Sequence, residues 1–317
     1  MQTQSSPGSR RSVLAVPGSS AKMLGKARDL PADEVFCDLE DAVAPSEKEA
    51  ARATIVEALA HPGWGRQRRA VRVNGWSTPW THDDLIAVVS GAGPHIDSII
   101  LPKVRSGAEV VAIDLLLTQL ETKYDLVASA IGIQAQIEDA TALTKIDEIA
   151  SASSRLEALV LGPADMAASL GMRTLTTGEQ PEGYERGDAH HHVLMSVLIA
   201  ARAHGLAAID GPYLAIEARD AFRRNAAAVA ALGFDGKWVI HPSQIEDANA
   251  AFAPRQSDYD AAEDLLDAYR EATSRPGGAR GAVRHRGEMI DEASAAMAEV
   301  IAQKGRAAGL QREDHQT

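Results

Sequence analysis

Ile131-Gly132-Ile133-Gln134-Ala135-Gln136-Ile137-Glu138 is a short apolar run that ends on a carboxylate, and Ala158-Leu159-Val160-Leu161-Gly162-Pro163-Ala164-Asp165 repeats the arrangement further along the chain. Short β-branched or apolar runs separated by longer Ala-rich segments with helical spacing are how parallel βα units read. Eight such runs can be counted, at 12–17, 35–39, 70–73, 98–102, 131–137, 158–161, 207–209 and 237–240. Helices are predicted between them near 20–29, 46–60, 81–90, 106–121, 141–151, 185–204 and 215–232, with another after 243. Ser19 and Ser46 stand where N-caps belong, and Glu49 follows Ser46 at the capping-box spacing. An open doubly wound sheet would show the same alternation. The number of units and the polar residues at the run ends favour closure into an α/β fold of the (β/α)8 TIM-barrel type.

A barrel of this kind takes about 250 residues, so the 317 residues divide into a barrel over 10–254 and a C-terminal helical arm over 255–310. The polar tails 1–9 and 311–317 are predicted to be disordered. A composition 45% hydrophobic but only 4% aromatic suits helices packed on a sheet of small branched residues. The stretch 172–187 reads as an excursion over the barrel mouth. A formal charge of −12 offers no footprint for nucleic acid or an anionic membrane. No apolar stretch is long enough to span a bilayer and the first residues lack signal-peptide features, so a cytoplasmic protein is expected. The one cysteine, Cys37, lies in an apolar run and reads as a core residue.

In a TIM barrel the reacting groups come from the C-terminal ends of the strands. Here those ends carry Asp38-Leu39-Glu40-Asp41, Arg72 and Asn74, Lys103, Gln136 and Glu138, Asp165, Asp210 and His241. Carboxylates with no cysteine and few suitable histidines make a hard-oxygen site, and Mg²⁺ typically takes one or two carboxylates while keeping water and substrate oxygens. Glu138 and Asp165 fit that requirement. Taken singly, each could equally be a strand-end carboxylate paired with Arg or Lys. Arg72, between two valines, needs an anionic partner, either a substrate carboxylate or enolate oxygen or a structural pair with Glu40 or Asp41. His190-His191-His192 lies in a predicted helix, where consecutive side chains diverge and cannot share one metal. No Gly-x-Gly-x-x-Gly pattern follows a strand. Arg275, Arg280, Arg284 and Arg286 read either as a charged linker or as contacts to the phosphates of a nucleotide-like carrier.

The segments Arg11-Ser12-Val13-Leu14-Ala15-Val16-Pro17-Gly18, Cys37-Asp38-Leu39-Glu40-Asp41-Ala42-Val43, Val71-Arg72-Val73-Asn74, Leu101-Pro102-Lys103, Gln136-Ile137-Glu138, Gly162 to Gly171 and Ile240-His241-Pro242-Ser243-Gln244 occur in this order. Together they resemble the citrate lyase beta subunit and malyl-CoA lyase family, within the HpcH/HpaI aldolase-like superfamily. The resemblance runs from residue 10 to about 305 and is to the freestanding CoA-dependent type. It implies a barrel enzyme, a homotrimer or dimer of trimers, with Mg²⁺ (or Mn²⁺ in its place) bound by Glu138 and Asp165. It also implies that Arg72 contacts the substrate, that Glu40 and Asp41 surround the metal's waters, and that Lys103 and His241 are secondary candidates. Met289-Ile290-Asp291 matches an arm segment whose aspartate reaches a neighbouring subunit's site, which makes Asp291 the candidate acid/base. The chain departs from the family pattern at Asp139-Ala140-Thr141-Ala142, where many members read Thr-Ala-Arg-Gly, and at Ala164 and Glu292-Ala293. None of these changes removes a proposed ligand.

The implied chemistry is reversible carbon–carbon cleavage of a 3-hydroxyacyl-CoA such as malyl-, methylmalyl- or citramalyl-CoA. The products would be an acyl-CoA and glyoxylate or pyruvate. Alternatives are a citrate-lyase-type subunit acting on a carrier-bound acyl group, a malyl-CoA thioesterase, and a catalytically silent barrel that binds CoA or partners.

Overall fold

The computed structural model describes residues 9–274 and 282–313. Eight strands, β1 (Ser12–Pro17), β2 (Glu34–Asp38), β3 (Arg68–Arg72), β4 (Ser98–Leu101), β5 (Gly132–Ile137), β6 (Leu156–Leu161), β7 (Ala207–Asp210) and β8 (Gly236–Val239), pair in sequence order and close into a barrel. All pairings are parallel, and closure joins Ser12, Val13 and Leu14 of β1 to Lys237, Trp238 and Val239 of β8. The fold is therefore the (β/α)8 barrel that the eight runs predict.

The two-residue period of a strand divides its side chains between two cores. Val13, Phe36, Ala70, Ile100, Ala158, Val160, Ile209 and Trp238 fill the barrel interior, with the Phe36 and Trp238 rings 4.4 Å apart between centroids. Their strand neighbours, among them Leu14, Val35, Cys37, Val71, Ile99, Leu101, Ile133 and Leu159, face the helices. Cys37 is fully buried there. Below the apolar waist a polar layer closes the N-terminal end: Arg10 pairs with Glu34 at 2.9 Å, and Gln134 donates to Glu34 at 2.6 Å and to Ser98 at 2.8 Å. The C-terminal mouth is left for the site.

Local signals are less legible than the barrel itself. Ser20, not Ser19, caps the helix Ala21–Ala27, accepting from the Met23 amide at 3.3 Å. Ser46 lies inside a 3₁₀ turn, Pro45–Glu47, because Pro45 starts the turn and Ala44 takes the extended cap position. The helix Lys48–Ala60 then begins without a side-chain cap. The predicted helix 141–151 is two short ones, Ala140–Thr144 and Ile146–Ala150, broken at Lys145.

The chain separates into two compact units, Arg10–Phe252 and the residues from Ala253 onward. In the second, helices Gln256–Ser274 and Glu292–Ala307 pack through Tyr259, Ala262, Leu266, Ala298 and Ala302. It also holds an antiparallel hairpin, β9 (Ala282–His285) and β10 (Glu288–Asp291), that the sequence pattern does not predict. Its two-residue loop, Arg286-Gly287, has φ of 45° and 91°, the left-handed geometry that suits strand twist in a tight hairpin. Gln311, Arg312 and Glu313, expected in the tail, are tied to the Gln256–Ser274 helix, with the Gln311 carbonyl accepting from Gln256 at 2.8 Å. Arg275 and Arg280 lie outside the described residues; Arg286 pairs with Asp264 at 2.9 Å. Among the described residues no helix is long and apolar enough to cross a membrane.

The strand that ends in Glu138 is anchored at its start by a buried ion pair. Arg155 grips Glu121 at 2.8 and 2.5 Å, and Glu121 accepts from the Ser129 and Ile131 amides just before β5. Removing one partner of such a pair strands the other charge in low dielectric. Arg155→Met should therefore lower the unfolding free energy by about 3–5 kcal/mol, read as a shifted urea midpoint, and Arg155→Met/Glu121→Gln, which removes the stranded charge but keeps an acceptor for those amides, should recover most of the loss.

Candidate active site

At the mouth, the ends of β2 to β6 bring charged side chains together. Asp38, the last residue of β2, is 1% exposed and stands in register with Arg72, the last residue of β3. Its two oxygens accept from Arg72 Nε at 2.8 Å and an Arg72 terminal nitrogen at 2.6 Å. The same oxygens accept from the amides of Glu40 at 2.9 Å and Ala42 at 3.1 Å, folding the acidic turn after the strand. Arg72's other terminal nitrogen lies 3.1 Å from Glu40, and the guanidinium sits over Phe36 and Trp238 at 5.6 and 5.2 Å. The sequence leaves Arg72 open between substrate and structural partners. The structure supplies protein partners, Glu40 and the unforeseen Asp38. Burial works against the guanidinium's charge, yet Asp38 and Glu40 hold its pKa above the ordinary value.

Lys103 follows β4 with φ of 54°, a left-handed conformation uncommon for a residue with a side chain. That geometry turns its amide onto Glu138, 2.5 Å away, while its ammonium pairs with Glu40 and lies 3.5 Å from Asp41. Glu138, 2% exposed, also accepts from Gln136 at 2.6 Å. Beside it runs the backbone of Gly162, where a Cβ would fall 2.5 Å from the Glu138 carboxylate. Three residues on, Asp165 occupies the first turn of the helix Pro163–Ser169 and is exposed. Burial first, then the charges of Glu40 and Asp165, push the Glu138 carboxyl up to about 8. Burial likewise raises Glu40 against the pull of Arg72 and Lys103.

The structure therefore gathers Glu40, Asp41, Arg72, Lys103, Glu138 and Asp165. His241 has a local role instead, since it is exposed at the end of β8 and its Nδ1 accepts from Ser243 and caps a 3₁₀ turn. Asp210 points away from the barrel interior, one residue past inward-facing Ile209, and pairs with Lys237 at 2.5 Å. Asn74 serves the scaffold, donating to Asp84 and to the Leu39 carbonyl. Asp139, one of the departures from the family pattern, caps the helix Ala140–Thr144 through the Ala142 amide at 2.7 Å. In the arm, Asp291 caps the helix Glu292–Ala307, accepting from both the amide and hydroxyl of Ser294 at 2.9 Å.

The donor set suits a hard divalent cation. Its atoms are carboxylate oxygens, Asp165 is close enough for its charge to disfavour that of Glu138, and Gly162 leaves the space beside Glu138 clear. Among the described residues no group of three or more His, Cys, Asp or Glu is set to hold a metal; Mg²⁺ typically takes one or two carboxylates and leaves its other positions to water and substrate oxygens.

A closed barrel with an acidic mouth of this build is a metal-dependent aldolase or lyase scaffold, and comparison with known proteins places it. Residues 11–242 match the HpcH/HpaI aldolase/citrate lyase family, and the chain belongs to it. It is 37% identical to the L-malyl-CoA/beta-methylmalyl-CoA lyase of Cereibacter sphaeroides over 92% of this chain and 93% of that one. It is 38% identical to the citrate lyase subunit beta of Haemophilus influenzae over 89% and 92% of the two chains. Among solved structures, protein CitE of Mycobacterium tuberculosis, in complex with magnesium, acetoacetate and coenzyme A, superposes with a TM-score of 0.73 at 28% identity, covering 95% of this chain and all of that one.

In metal-free protein the Glu138 carboxyl keeps its proton to about pH 8 when folded but releases it near the ordinary 4.5 when unfolded. The stability this gives is complete below the unfolded value and is lost as pH rises through the folded one. In EDTA, the denaturation midpoint of the native chain should fall more steeply from about pH 5 to about pH 8 than that of Glu138→Gln. Parallel declines would show that Glu138 is not the group responsible.

Proposed function

We propose that this protein is a Mg²⁺-dependent carbon–carbon lyase acting on a 3-hydroxyacyl-CoA, cleaving it to an acyl-CoA and a small oxo acid. The observation that carries the reading is the meeting of buried Glu138 and Glu40 with the exposed Asp165 in one mouth that also holds Arg72. Carboxylates crowded in this way call for a cation. Glu138 and Asp165 would hold Mg²⁺, which when bound supplies Lewis-acid chelation of the substrate's carboxylate and hydroxyl oxygens. Mn²⁺ fits the same oxygen donors.

The chain's own residues account for the rest. In cleavage the hydroxyl proton passes to water at the mouth, the O–H pair forms the oxo acid's C=O, and the broken C–C bond's pair moves into the thioester, so negative charge develops on the thioester oxygen. Arg72, kept cationic and orientated by Asp38, is the donor for that oxygen. Glu40 and Asp41 would accept from water around the metal, and Lys103 holds Glu40 and Glu138 in place through its side chain and amide. Asp291, supplied by a neighbouring subunit of a homotrimer or dimer of trimers, would protonate the carbon left by the departing oxo acid. A multi-subunit assembly is supported by the row Met297, Val300 and Ile301, exposed along one face of the helix Glu292–Ala307. A cytoplasmic setting agrees with a single, buried cysteine.

Sequence identity alone does not separate the CoA-dependent lyases from the citrate lyase subunits, since both relatives match at nearly the same level. The arm segment Met289-Ile290-Asp291 favours the former. The test is incubation with Mg²⁺ and malyl-, methylmalyl- and citramalyl-CoA, with products identified by mass. Acyl-CoA plus glyoxylate or pyruvate is expected, whereas free malate would mean thioester hydrolysis. Asp165→Ala should abolish Mg²⁺-dependent turnover, and Arg72→Ala should lower kcat by about 10²–10³-fold, the scale for losing an oxyanion donor. Full activity in either variant would overturn the assignment.

A further inference from the structure

Lys237 is a buried charge for which the proposed chemistry has no use. It is 2% exposed and lies in β8 beside Trp238, whose ring faces into the barrel, so the lysine points outward. Its ammonium donates to Asp210 at 2.5 Å and to the carbonyl of Gly211 at 2.7 Å. A buried ammonium is tolerated only where its partners are fixed and well aligned, so this contact is a rigid point at the end of β7.

That point abuts the segment bearing Asp165. A Cβ on Gly211 would fall 2.2 Å from Pro163 Cδ and 2.5 Å from the Leu161 carbonyl, so the backbone there rests directly on the end of β6 and the first residue of the helix Pro163–Ser169. No hydrogen bond among the described residues restrains the Asp165 carboxylate. Its place is set by its backbone. On the other side, Leu161, Pro163, Asp210, Asn225 and Lys237 line a cavity of about 30 Å³. The buried Asn225 Oδ1 has no protein partner, and the volume admits one or two waters on the scale where about 10–15 Å³ holds one. The cavity leaves Pro163 room to shift, and the bond from Lys237 to Gly211 opposes that shift.

We propose that Lys237 is a positioning residue, which through Asp210 and Gly211 holds the helix start that presents Asp165 to the metal. The inference rests on the reading of Glu138 and Asp165 as the metal pair. Its test is titration calorimetry of the full chain with Mg²⁺ alone, together with thermal melting. Lys237→Met leaves Asp210 buried and uncompensated and is expected to melt early. The neutral double variant Lys237→Met/Asp210→Asn avoids that charge and should keep a Tm near that of the native chain, yet its Mg²⁺ Kd should rise about tenfold, equivalent to roughly 1.4 kcal/mol. An unchanged Kd in the double variant, with Mg²⁺ binding lost in Asp165→Ala, overturns the positioning role and leaves the metal site standing. Native Mg²⁺ binding by Asp165→Ala overturns the metal pair itself, and the proposal with it.

Discussion

Five carboxylates, Asp38, Glu40, Asp41, Glu138 and Asp165, share the barrel mouth with three cations, Arg72, Lys103 and the buried Lys48, and this imbalance is the constraint around which the site is arranged. In a place of reduced dielectric an excess of negative charge is met either by protons or by further cations. The first response is visible in Glu138, whose carboxyl is held up to about 8. The second is what a divalent ion would provide, and it would return Glu138 to the ionised form that a ligand needs. The cations have different partners, Lys48 donating to the carbonyls of Leu39 and Glu40. Arg72 is committed to Asp38 and Glu40, and Lys103 bridges Glu40 and Glu138 with its side chain and backbone. The acidic residues closest to the open mouth, Asp41 and Asp165, are the exposed ones.

The barrel makes this arrangement tolerable to the fold by stacking three layers with different physics. The Arg10–Glu34–Gln134–Ser98 layer closes the bottom with an ion pair and hydrogen bonds. The waist of Phe36, Ile100, Val160 and Trp238 keeps water from the interior and gives the guanidinium of Arg72 two ring faces to lie against. Only the mouth is left with an excess of charge. Asp38 joins the layers, since one side chain both aligns Arg72 and folds the backbone turn that carries Glu40 and Asp41. A change there would disturb a cation and two acids together.

The barrel and the charged mouth are legible in the chain because parallel strands buried on both faces leave continuous apolar runs, and because the residue after each run is automatically at the mouth. What is not legible depends on contacts across strands. Asp38 is visible within Asp38-Leu39-Glu40-Asp41, but its role comes from the register that sets it against Arg72. Lys237 looks like an ordinary start to an apolar run; its partner Asp210 is 27 residues away and is found only through the β7–β8 pairing. Asp210 itself is misplaced by the sequence pattern, because a one-residue difference in strand parity separates the interior from the helix layer. The hairpin before Asp291 escapes the pattern for another reason. It is a two-stranded element with mostly exposed residues, and such strands lack an apolar run to announce them.

Asp291 poses the sharpest question about how the site would work. The amide and hydroxyl of Ser294 hold its carboxyl below the ordinary range, and it is fully exposed. A carboxylate stabilised in this way is a competent base and a reluctant acid. To protonate a carbon in the cleavage direction it would have to exchange this cap for surroundings that disfavour its charge, as the water-poor mouth of a neighbouring subunit would. In the condensation direction the same residue, in the same mouth, would take the proton back from the acyl-CoA methyl or methylene group. One side chain would then serve both directions from the same place, as acid in cleavage and as base in condensation, because the forward and reverse steps share one transition state.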